Sequence, residues 1–529
     1  MFKPSRRVVI ASALAGGMIA TLATSLAAQA QPKTGGTLVV GTTQKPRHLN
    51  PAVQSGVATA VPGTQIFASP LRYDENWKPL PYLAESWSVS DDGLSVTLSL
   101  VKGAKFHDGK PITSEDVAFS IMTVKANHPF KTMFAPVTKV DTPDASTAII
   151  RLSQPHPAIL LALSPALCPI LPKHVYGDGQ DVKSHPANSK PVGSGPFKLV
   201  EFKPGEHIIL ERNPDFFVKG RPYLDRIIIK NYKDTKSLML ATESGEVQLT
   251  PFVTGSRDIV RMKKNQNLVV TEKGYAAVGP INWLAFNHAN EILKHKKVRQ
   301  AISFAVDRNF ITKALHAGAS RRATGPIAPE SPFYTAEVEA YDYDVAKANK
   351  LLDEAGYPNK GGKRFSLNLD YIPAFAEHQK NVAEYLRSAL KKVGIDIVLR
   401  AVPDFPSWAK RVSTHDFDMT MDIVFNWGDP VIGVHRTYLT SNIRKGVIWS
   451  NTQSYSNPKV DEILDKAGKE TDFEKRKALY KEFQQIVADE LPVAWFNLLP
   501  YHTAYSKTVG NPPLSIWGSM SSMDEVYLK

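Results

Sequence analysis

Cysteine is almost absent from this sequence. Cys168 is the only one among 529 residues, so an intramolecular disulfide cannot form and zinc sites built from several cysteines are excluded. Because Cys168 stands between Ala166 and Pro169 in an apolar context, we expect it to be a small buried apolar residue.

The sequence also lacks the motifs that usually mark catalytic sites. Gly193-Ser194-Gly195 does not have the spacing of a nucleophile elbow, and Gly361-Gly362-Lys363-Arg364 does not have the first glycine or the final hydroxyl of a P-loop. No H-E-x-x-H pattern occurs, and the 14 histidines are scattered, so a metal site could arise only from residues distant in the sequence. His107, beside Asp108, is interpreted as a turn residue. We therefore predict no enzymatic activity, no catalytic residue, no cofactor and no metal site.

Long runs of one charge are missing as well. The formal charge is +13, with 64 basic and 51 acidic residues, but the two signs are interleaved along the chain. This pattern indicates a solvated basic surface rather than a nucleic-acid interface. No nucleic-acid partner is expected.

The N-terminus carries the one long apolar run. Basic residues precede a stretch from Val8 to about Ala28, and Ala28-Gln29-Ala30 has the small residues that signal peptidase requires. We predict that residues 1–30 are a signal peptide cleaved after Ala30, and Ser5-Arg6-Arg7 leaves the general and the twin-arginine export routes open. An uncleaved anchor is the alternative, since the run is about long enough to span a bilayer. No cysteine lies near the end of the signal, which favours a soluble periplasmic protein over a lipid-anchored one.

The remaining length requires more than one lobe. Removal of the signal leaves about 500 residues, well above the roughly 250 to 300 at which single hydrophobic cores stop growing. Leu94, Val96, Leu98 and Leu100 alternate as in a half-buried strand, and Thr113 begins a helix-capping pattern.

The C-terminal half has the succession of helix, glycine stop and strand that is typical of α/β proteins. We expect a loop over 49–63 and short edge strands in the proline-rich segment 129–188. Predicted helices cover 298–315, 345–355, 377–393, 458–468 and 473–489. Predicted strands cover 36–41, 197–202, 208–211, 227–229, 281–286, 395–399, 419–427 and 491–496.

Several short motifs occur in a fixed order along the chain. They are Leu83-Ala84-Glu85-Ser86-Trp87, Phe106-His107-Asp108-Gly109, Pro191-Val192-Gly193-Ser194-Gly195-Pro196-Phe197, Glu211-Arg212-Asn213-Pro214-Asp215-Phe216, Glu243-Ser244-Gly245-Glu246-Val247, Leu284-Ala285-Phe286-Asn287 and Leu351-Leu352-Asp353-Glu354-Ala355-Gly356-Tyr357. In this order the sequence resembles the peptide and nickel group of bacterial extracellular solute-binding proteins, family 5.

The resemblance implies a two-lobed α/β periplasmic binding protein. Lobe one would comprise residues 31–282 and 491–529, with a small extra subdomain at about 75–189, and lobe two would comprise 283–490. The two hinge crossings would be Ile281 to Asn287 and Leu491 to Phe496, where a few backbone rotations would close the cleft.

The resemblance also implies a function in transport. The protein would capture a peptide or peptide-like solute between its lobes and deliver it, as a monomer, to an inner-membrane ABC permease and its ATPase. The alternatives are a non-peptide solute, namely an opine, an oligosaccharide or a nickel chelate, and a secreted hydrolase.

A ligand site is predicted after the apolar run Met421 to Phe425. The loop Asn426-Trp427-Gly428-Asp429-Pro430 lies at a strand end, where open α/β sheets bind ligands. In the resembled family an acidic turn here binds the α-ammonium group of a peptide, which implies that role for Asp429. Trp427 would stack on the ligand. The alternative is that Asp429 only starts the turn before its proline.

Further residues complete this predicted site. The segment from Trp408 to Trp449 combines aromatic residues with scattered charges, as concave ligand sites do. Together with Asp429 and Trp427 we therefore assign Asn426, Arg436 and Asn287 to ligand binding. The alternative is that the aromatic side chains belong to an ordinary core.

Overall fold

The computed structural model describes residues 32–373 and 378–529. The predicted signal peptide and its cleavage site lie outside the described residues. Strands and helices are numbered in chain order below.

The first large sheet has seven strands in the order β12-β18-β11-β1-β10-β9-β8. Its central strand, β1, runs parallel to both of its neighbours, and the other pairs are antiparallel. The strands are β1 Thr37–Thr42, β8 Phe197–Lys203, β9 His207–Arg212, β10 Arg226–Asn231, β11 Leu249–Val253, β12 Leu268–Thr271 and β18 His502–Ser506.

A four-stranded antiparallel sheet forms between β1 and β8 in the sequence. Its order is β4-β5-β7-β6, with β4 Ala84–Val89, β5 Ser95–Leu100, β6 Val137–Asp144 and β7 Thr147–Leu152. Its helix α2, Ser114–Asn127, is capped as predicted, because the Thr113 backbone N–H donates to Asp116 Oδ2 over 2.9 Å. The other elements here are short: β2 Leu71–Tyr73, β3 Pro79–Pro81, α3 Ile159–Ala162 and α4 Lys173–Tyr176. The predicted strand over 94–100 and the short elements of the proline-rich segment are thus confirmed, and Cys168 is buried.

The second large sheet has five strands in the order β15-β14-β16-β13-β17. The parallel strands β15, β14 and β16 are followed by β13 and β17, which are antiparallel to their neighbours. The strands are β13 Pro280–Phe286, β14 Phe365–Tyr371, β15 Ile395–Leu399, β16 Met419–Phe425 and β17 Val493–Leu498.

Helices cover both large sheets. The helices near the first sheet are α1 Val57–Ile66, α5 Thr235–Ser244 and α6 Ser256–Met262, and a last pair of strands is β19 Val509–Gly510 and β20 Tyr527–Leu528. The helices near the second sheet are α7 Lys296–Phe304, α8 Val345–Glu354, α9 Lys380–Lys391, α10 Phe405–Ser413, α11 Pro430–Gly433, α12 His435–Tyr438, α13 Pro458–Ala467 and α14 Phe473–Glu490. None of the helices in the described ranges is both long and apolar enough to cross a membrane.

Two of the predicted elements were wrong. The loop over 49–63 contains α1, whose residues from Thr59 to Ile66 are all buried, so the helix has no polar face that would reveal its period in the sequence. The helix over 298–315 is interrupted after Phe304. There the Asp307 carboxylate accepts hydrogen bonds from the backbone N–H groups of Asn309 and Phe310, which starts a separate π-helical turn.

The chain passes between the two large sheets twice, at residues 272–279 and 499–501. Below, lobe one denotes the elements before β13 and after β17, and lobe two denotes β13 to β17 with their helices. The predicted crossings at 281–287 and 491–496 correspond largely to β13 and β17, which are neighbouring strands of one sheet, so the connecting residues lie just outside them. The proposed lobe boundaries at 282/283 and 490/491 stay a prediction.

Candidate ligand-binding site

The loop that follows β16 lies against lobe one. Trp427 has a φ of 49°, and its ring packs on Phe130 and Trp517 of lobe one, with centroid distances of 5.0 and 6.2 Å. The backbone N–H of Gly428 donates to Ala277 O over 2.6 Å. The predicted ligand residue Trp427 is therefore placed where the two lobes meet.

Asn426 has a structural position in the same loop. Its side-chain oxygen accepts a hydrogen bond from Ala328 N–H (2.7 Å), and its amide N–H donates to Pro326 O (3.0 Å). The side chain is buried, so both ends of the amide are satisfied by the segment between β13 and β14.

Asp429 is paired with an arginine of the protein itself. Its two oxygens accept hydrogen bonds from Arg476 over 2.6 and 2.7 Å, and Oδ1 also caps α11 by accepting from Val431 N–H. Burial opposes ionisation of the Asp429 carboxyl, but Arg476 outweighs it and holds the pKa below its ordinary value. The predicted binding of a ligand ammonium group by Asp429 stays a prediction, and it would require displacement of Arg476.

Asn287 is not brought together with the other predicted residues. It follows the far end of β13, whose first residue Pro280 is opposite Phe425 and whose last residue Phe286 is opposite Met419. At about 3.4 Å per residue, that end is roughly 20 Å from the loop after β16. The Asn287 amide donates to Phe417 O and its oxygen accepts from Ala289 N–H, which is a turn-stabilising arrangement.

Arg436, on α12, faces lobe one. Its guanidinium carbon lies 4.9 Å from the centroid of the Phe130 ring, and Nε donates to Gly433 O over 3.1 Å. No carboxylate of the described residues is within ion-pair distance of it, in contrast to Arg476. Burial lowers the pKa of Arg436 to about 10, and the nearby Asp422 opposes this shift.

Asp422 is a candidate ligand residue that the sequence analysis did not identify. It is 6% exposed, and its carboxylate accepts hydrogen bonds from Ile423 N–H (2.6 Å) and from Trp449 Nε1–H (3.0 Å), without an ion pair among the described residues. Burial raises the pKa of Asp422 to about 7, although these hydrogen bonds and Arg436 lower it. The sequence did contain one indication of this residue, because Asp422 is an acidic residue within the otherwise mostly apolar strand β16.

Trp283 lies directly across from Asp422 in the pairing of β13 with β16. Directly opposed residues of an antiparallel pair project from the same face of a sheet. The Trp283 indole N–H is buried and has no hydrogen-bond partner in the described part of the chain. Trp283 and Trp449 therefore both lie beside Asp422 in lobe two.

The histidines are not gathered into a metal centre in the part of the chain that the structure describes. Within the described ranges no three His, Cys, Asp or Glu side chains are grouped so that they could hold a metal ion. His107 occupies the turn that was predicted for it. Its Nδ1 accepts from Gly193 N–H, its Nε2 donates to Gly195 O, and burial lowers its pKa to about 4.

Known proteins match most of this chain. The sequence profile of the bacterial extracellular solute-binding proteins, family 5, matches residues 78–445. Heme-binding protein A of Haemophilus influenzae is 30% identical over 516 residues, which cover 92% of this chain and 90% of that protein. The glutathione-binding protein GsiB of Salmonella choleraesuis is 28% identical over 436 residues, covering 80% of this chain and 81% of that protein.

The fold is also shared with solved structures. The oligopeptide-binding protein AppA from Bacillus subtilis, in complex with a nonapeptide, superposes with a TM-score of 0.79 at 26% identity, covering 94% of this chain and 100% of that chain. The relatives named here are binding proteins, for heme, glutathione and oligopeptides respectively. With the α/β architecture of a periplasmic binding protein and a family profile that matches more than half of its length, this chain belongs to the bacterial extracellular solute-binding proteins, family 5.

Proposed function

We propose that this protein captures a peptide or peptide-like solute between its two lobes and presents the closed form to an inner-membrane ABC permease with its ATPase. The observation that supports this most is the position of Trp427 and Arg436. Both belong to lobe two, and both rest on the ring of Phe130 in lobe one. A solute held at this junction would contact both lobes, as closure around a ligand requires.

Few polar contacts join the lobes elsewhere. The Trp77 indole N–H donates to Glu330 O over 3.1 Å, and Arg321 lies 3.6 Å from Glu272. His378 Nε2 lies 3.0 Å from Thr254 O, and must carry its proton because a carbonyl only accepts. Single hydrogen bonds of this kind contribute about 0.5 to 1.5 kcal/mol each. A ligand that binds only the closed form at about 100 times its dissociation constant would contribute roughly 2.7 kcal/mol, enough to shift such a balance.

The peptide assignment is supported by the relatives. AppA is in complex with a nonapeptide and GsiB is a glutathione-binding protein, whereas the Haemophilus influenzae relative is a heme-binding protein. Because the aromatic and charged side chains at the lobe junction suit a solute with both apolar and ionic groups, and because AppA and GsiB bind peptides, we assign a peptide-like solute rather than an uncharged oligosaccharide. We further propose a monomer in the periplasm, without enzymatic activity.

Small-angle scattering combined with calorimetry would test this function. Ligand-free protein, prepared by unfolding, dialysis and refolding, is titrated with individual di- to pentapeptides, an opine and a disaccharide. We expect selective, saturable binding of peptides, a smaller radius of gyration in the bound state and no product after prolonged incubation. Binding of the opine or the disaccharide alone, or turnover of a peptide, would contradict the proposal.

The lobe junction can be tested with a pair of phenylalanine variants. Phe130→Ala removes the ring that Trp427 and Arg436 contact, and should weaken peptide binding without abolishing compaction at saturation. Phe310→Ala is the control, because Phe310 is 42% exposed and its ring stacks on Tyr385 of the same lobe. Equal affinities of the two variants would argue against a ligand site at this junction.

A further inference from the structure

A loop of lobe one reaches lobe two beside the crossings. It comprises residues 74–78, between β2 and β3, and we call it the Trp77 loop. The indole N–H of Trp77 donates to Glu330 O of lobe two over 3.1 Å. Trp77 also packs on the core of lobe one, so its side chain is held by one lobe and bonded to the other.

The loop is shaped to present this side chain. Asp74 Oδ1 accepts hydrogen bonds from the backbone N–H groups of Asn76 and Lys78, over 2.8 and 2.9 Å. An aspartate that bonds to the backbone two residues further on fixes a tight turn. Trp77 has a φ of 66°, which bulky residues rarely adopt and which persists where surrounding contacts enforce it. The turn therefore sets the direction of the indole.

Ion pairs connect the same loop to the first of the two crossings. Glu75 pairs over 3.0 Å with Lys273, which lies in that crossing. The preceding residue, Glu272, lies 3.6 Å from Arg321 of lobe two. Among the described residues no other ion pair joins lobe two to lobe one or to a crossing. The first crossing is thus bound by the Trp77 loop on one side and by lobe two on the other.

Arg321 and Glu330 complete this arrangement. The Glu330 carboxylate pairs with Arg321, while its backbone oxygen accepts the hydrogen bond from Trp77. Arg321 is fixed next to the second crossing, because its backbone oxygen accepts from Leu498 N–H, at the end of β17, over 2.9 Å. A cavity of about 370 Å³ beside these groups is lined by residues of both lobes. Both crossings and the Trp77 loop therefore meet in one cluster.

Movement of the lobes would change these contacts. The lobes of this structure meet where Trp427 packs on Phe130, so the structure represents a closed arrangement. Trp77 and Glu330 belong to different lobes, and rotation of one lobe about the crossings therefore alters the distance between them. A hydrogen bond is lost once its two heavy atoms are about 3.6 Å apart. The contact of Trp77 with Glu330 thus stabilises the closed arrangement in particular.

We propose that the Trp77 loop is a strap that favours the closed arrangement of the lobes before any solute binds. Its contact with Glu330 forms on closure and is released on opening, and Arg321 supports this contact by holding the Glu330 carboxylate. The inference rests on the lobe closure in the proposed function but not on the nature of the solute. Because the ion pairs are exposed, salt should screen them, whereas the indole hydrogen bond should persist.

Single-molecule fluorescence energy transfer would measure the share of closed molecules. Dyes are attached through Val200→Cys in β8 and Val398→Cys in β15. Both positions are exposed, and each lies on the edge strand of its sheet that is farther from the crossings. The native Cys168 is buried and should not react. In the unliganded labelled protein at about 20 mM salt we expect both closed and open molecules.

Variants of the strap should lower the ratio of closed to open molecules. Trp77→Phe keeps a ring but removes the donor, so the ratio should fall about two- to tenfold. Arg321→Gln should lower it by up to about fivefold at low salt and much less at about 500 mM salt. Trp87→Phe and Arg387→Gln are the controls, since Trp87 packs within lobe one and Arg387 pairs with Glu384 of its own helix. Neither control should change the ratio.

The contrary results are distinct. Thermal melting identifies the folded variants, and Arg321→Gln carries the test if Trp77→Phe does not fold. An unchanged ratio in the folded strap variants, or unliganded protein without closed molecules, would overturn the strap.

The solutes of the scattering experiment separate this result from the proposed function. A peptide that closes the labelled protein would leave that function intact even if the strap variants behave like the unmodified chain. Failure of every peptide to close it would contradict that function, but not a strap whose variants shift the ratio.

Discussion

Replacement of Asp422 by asparagine should stabilise the unliganded protein at neutral and alkaline pH. Asparagine keeps the size of the side chain and can accept one of the two hydrogen bonds, from Trp449 or from Ile423, which go to different oxygens of Asp422; it has no charge to bury. In the folded protein, burial raises the pKa of Asp422 to about 7, from an ordinary value of 3.8. The folded state therefore binds a proton at this site between about pH 4 and 7, and the unfolded state does not.

The sign and size of the effect follow from this difference. Unfolding releases the proton in that range, so the contribution of Asp422 to stability is fully present below about pH 4 and is lost as the pH rises to about 7. Each unit of pKa difference corresponds to about 1.4 kcal/mol, which gives a loss of roughly 4 kcal/mol over the window. The free energy of unfolding of Asp422→Asn should not show this loss.

Urea unfolding of ligand-free wild type and variant at several pH values between 4 and 8.5 would measure the difference. Because all other titrating groups are common to both proteins, they cancel when the two free energies of unfolding are subtracted. We expect the variant to gain on the wild type steadily up to about pH 7 and to show a constant advantage above it. A difference that is the same at pH 4.5 and pH 8, within about 0.5 kcal/mol, would refute the assignment of Asp422 as a buried and unpaired acid.

Two further predictions concern the contacts of Asp429 and Asn287. Asp429→Asn should destabilise the protein by about 3 to 5 kcal/mol, because it leaves the buried Arg476 without its counterion; a loss below 1 kcal/mol in urea unfolding would show that this pair is dispensable. Asn287→Ala should cost about 1 to 3 kcal/mol of stability, because Phe417 O and Ala289 N–H lose their partner, but should leave the dissociation constant of a bound dipeptide unchanged in calorimetry.

Local patterns in the sequence predicted most of the regular structure. The alternation of Val96, Leu98 and Leu100 corresponds to their burial along β5, and the Thr113 capping pattern begins α2. The glycines 356 and 394, with φ of 87° and 80°, end helical segments where predicted. Each of these patterns involves residues only a few positions apart. A single sequence is therefore enough to recognise them.

The exceptions depended on surroundings that the local sequence does not contain. Helix α1 is buried on all sides and includes Pro62, so it presents neither a polar face nor a favourable composition. Its helical form is fixed by packing in the lobe-one core. The sequence analysis also assigned Asn287 to the ligand site. The local sequence does not show that the length of β13 separates Asn287 from the loop after β16.

Aspartates 422 and 429 show why the ligand site was harder to predict than the fold. Both belong to one segment, and Asp429 in its turn before a proline has the more recognisable pattern. Its partner, however, is Arg476, which is 47 positions away, so the sequence cannot show that its charge is already compensated. Asp422 lies inside a strand, where a charge is expected only if something distant pairs with it, and the structure provides no cation at ion-pair distance within the described residues.

A buried charge is thus better interpreted by its pairing than by its motif. A paired acid such as Asp429 can be removed only with loss of stability, whereas an unpaired acid such as Asp422 lowers stability while it is present. Selection for stability alone would remove Asp422 and Arg436, since a neutral pair of similar volume would pack there at a lower cost. Arg436 contacts the Phe130 ring of lobe one and Asp422 bonds only to Ile423 N–H and the Trp449 indole, so stability does not account for either charge.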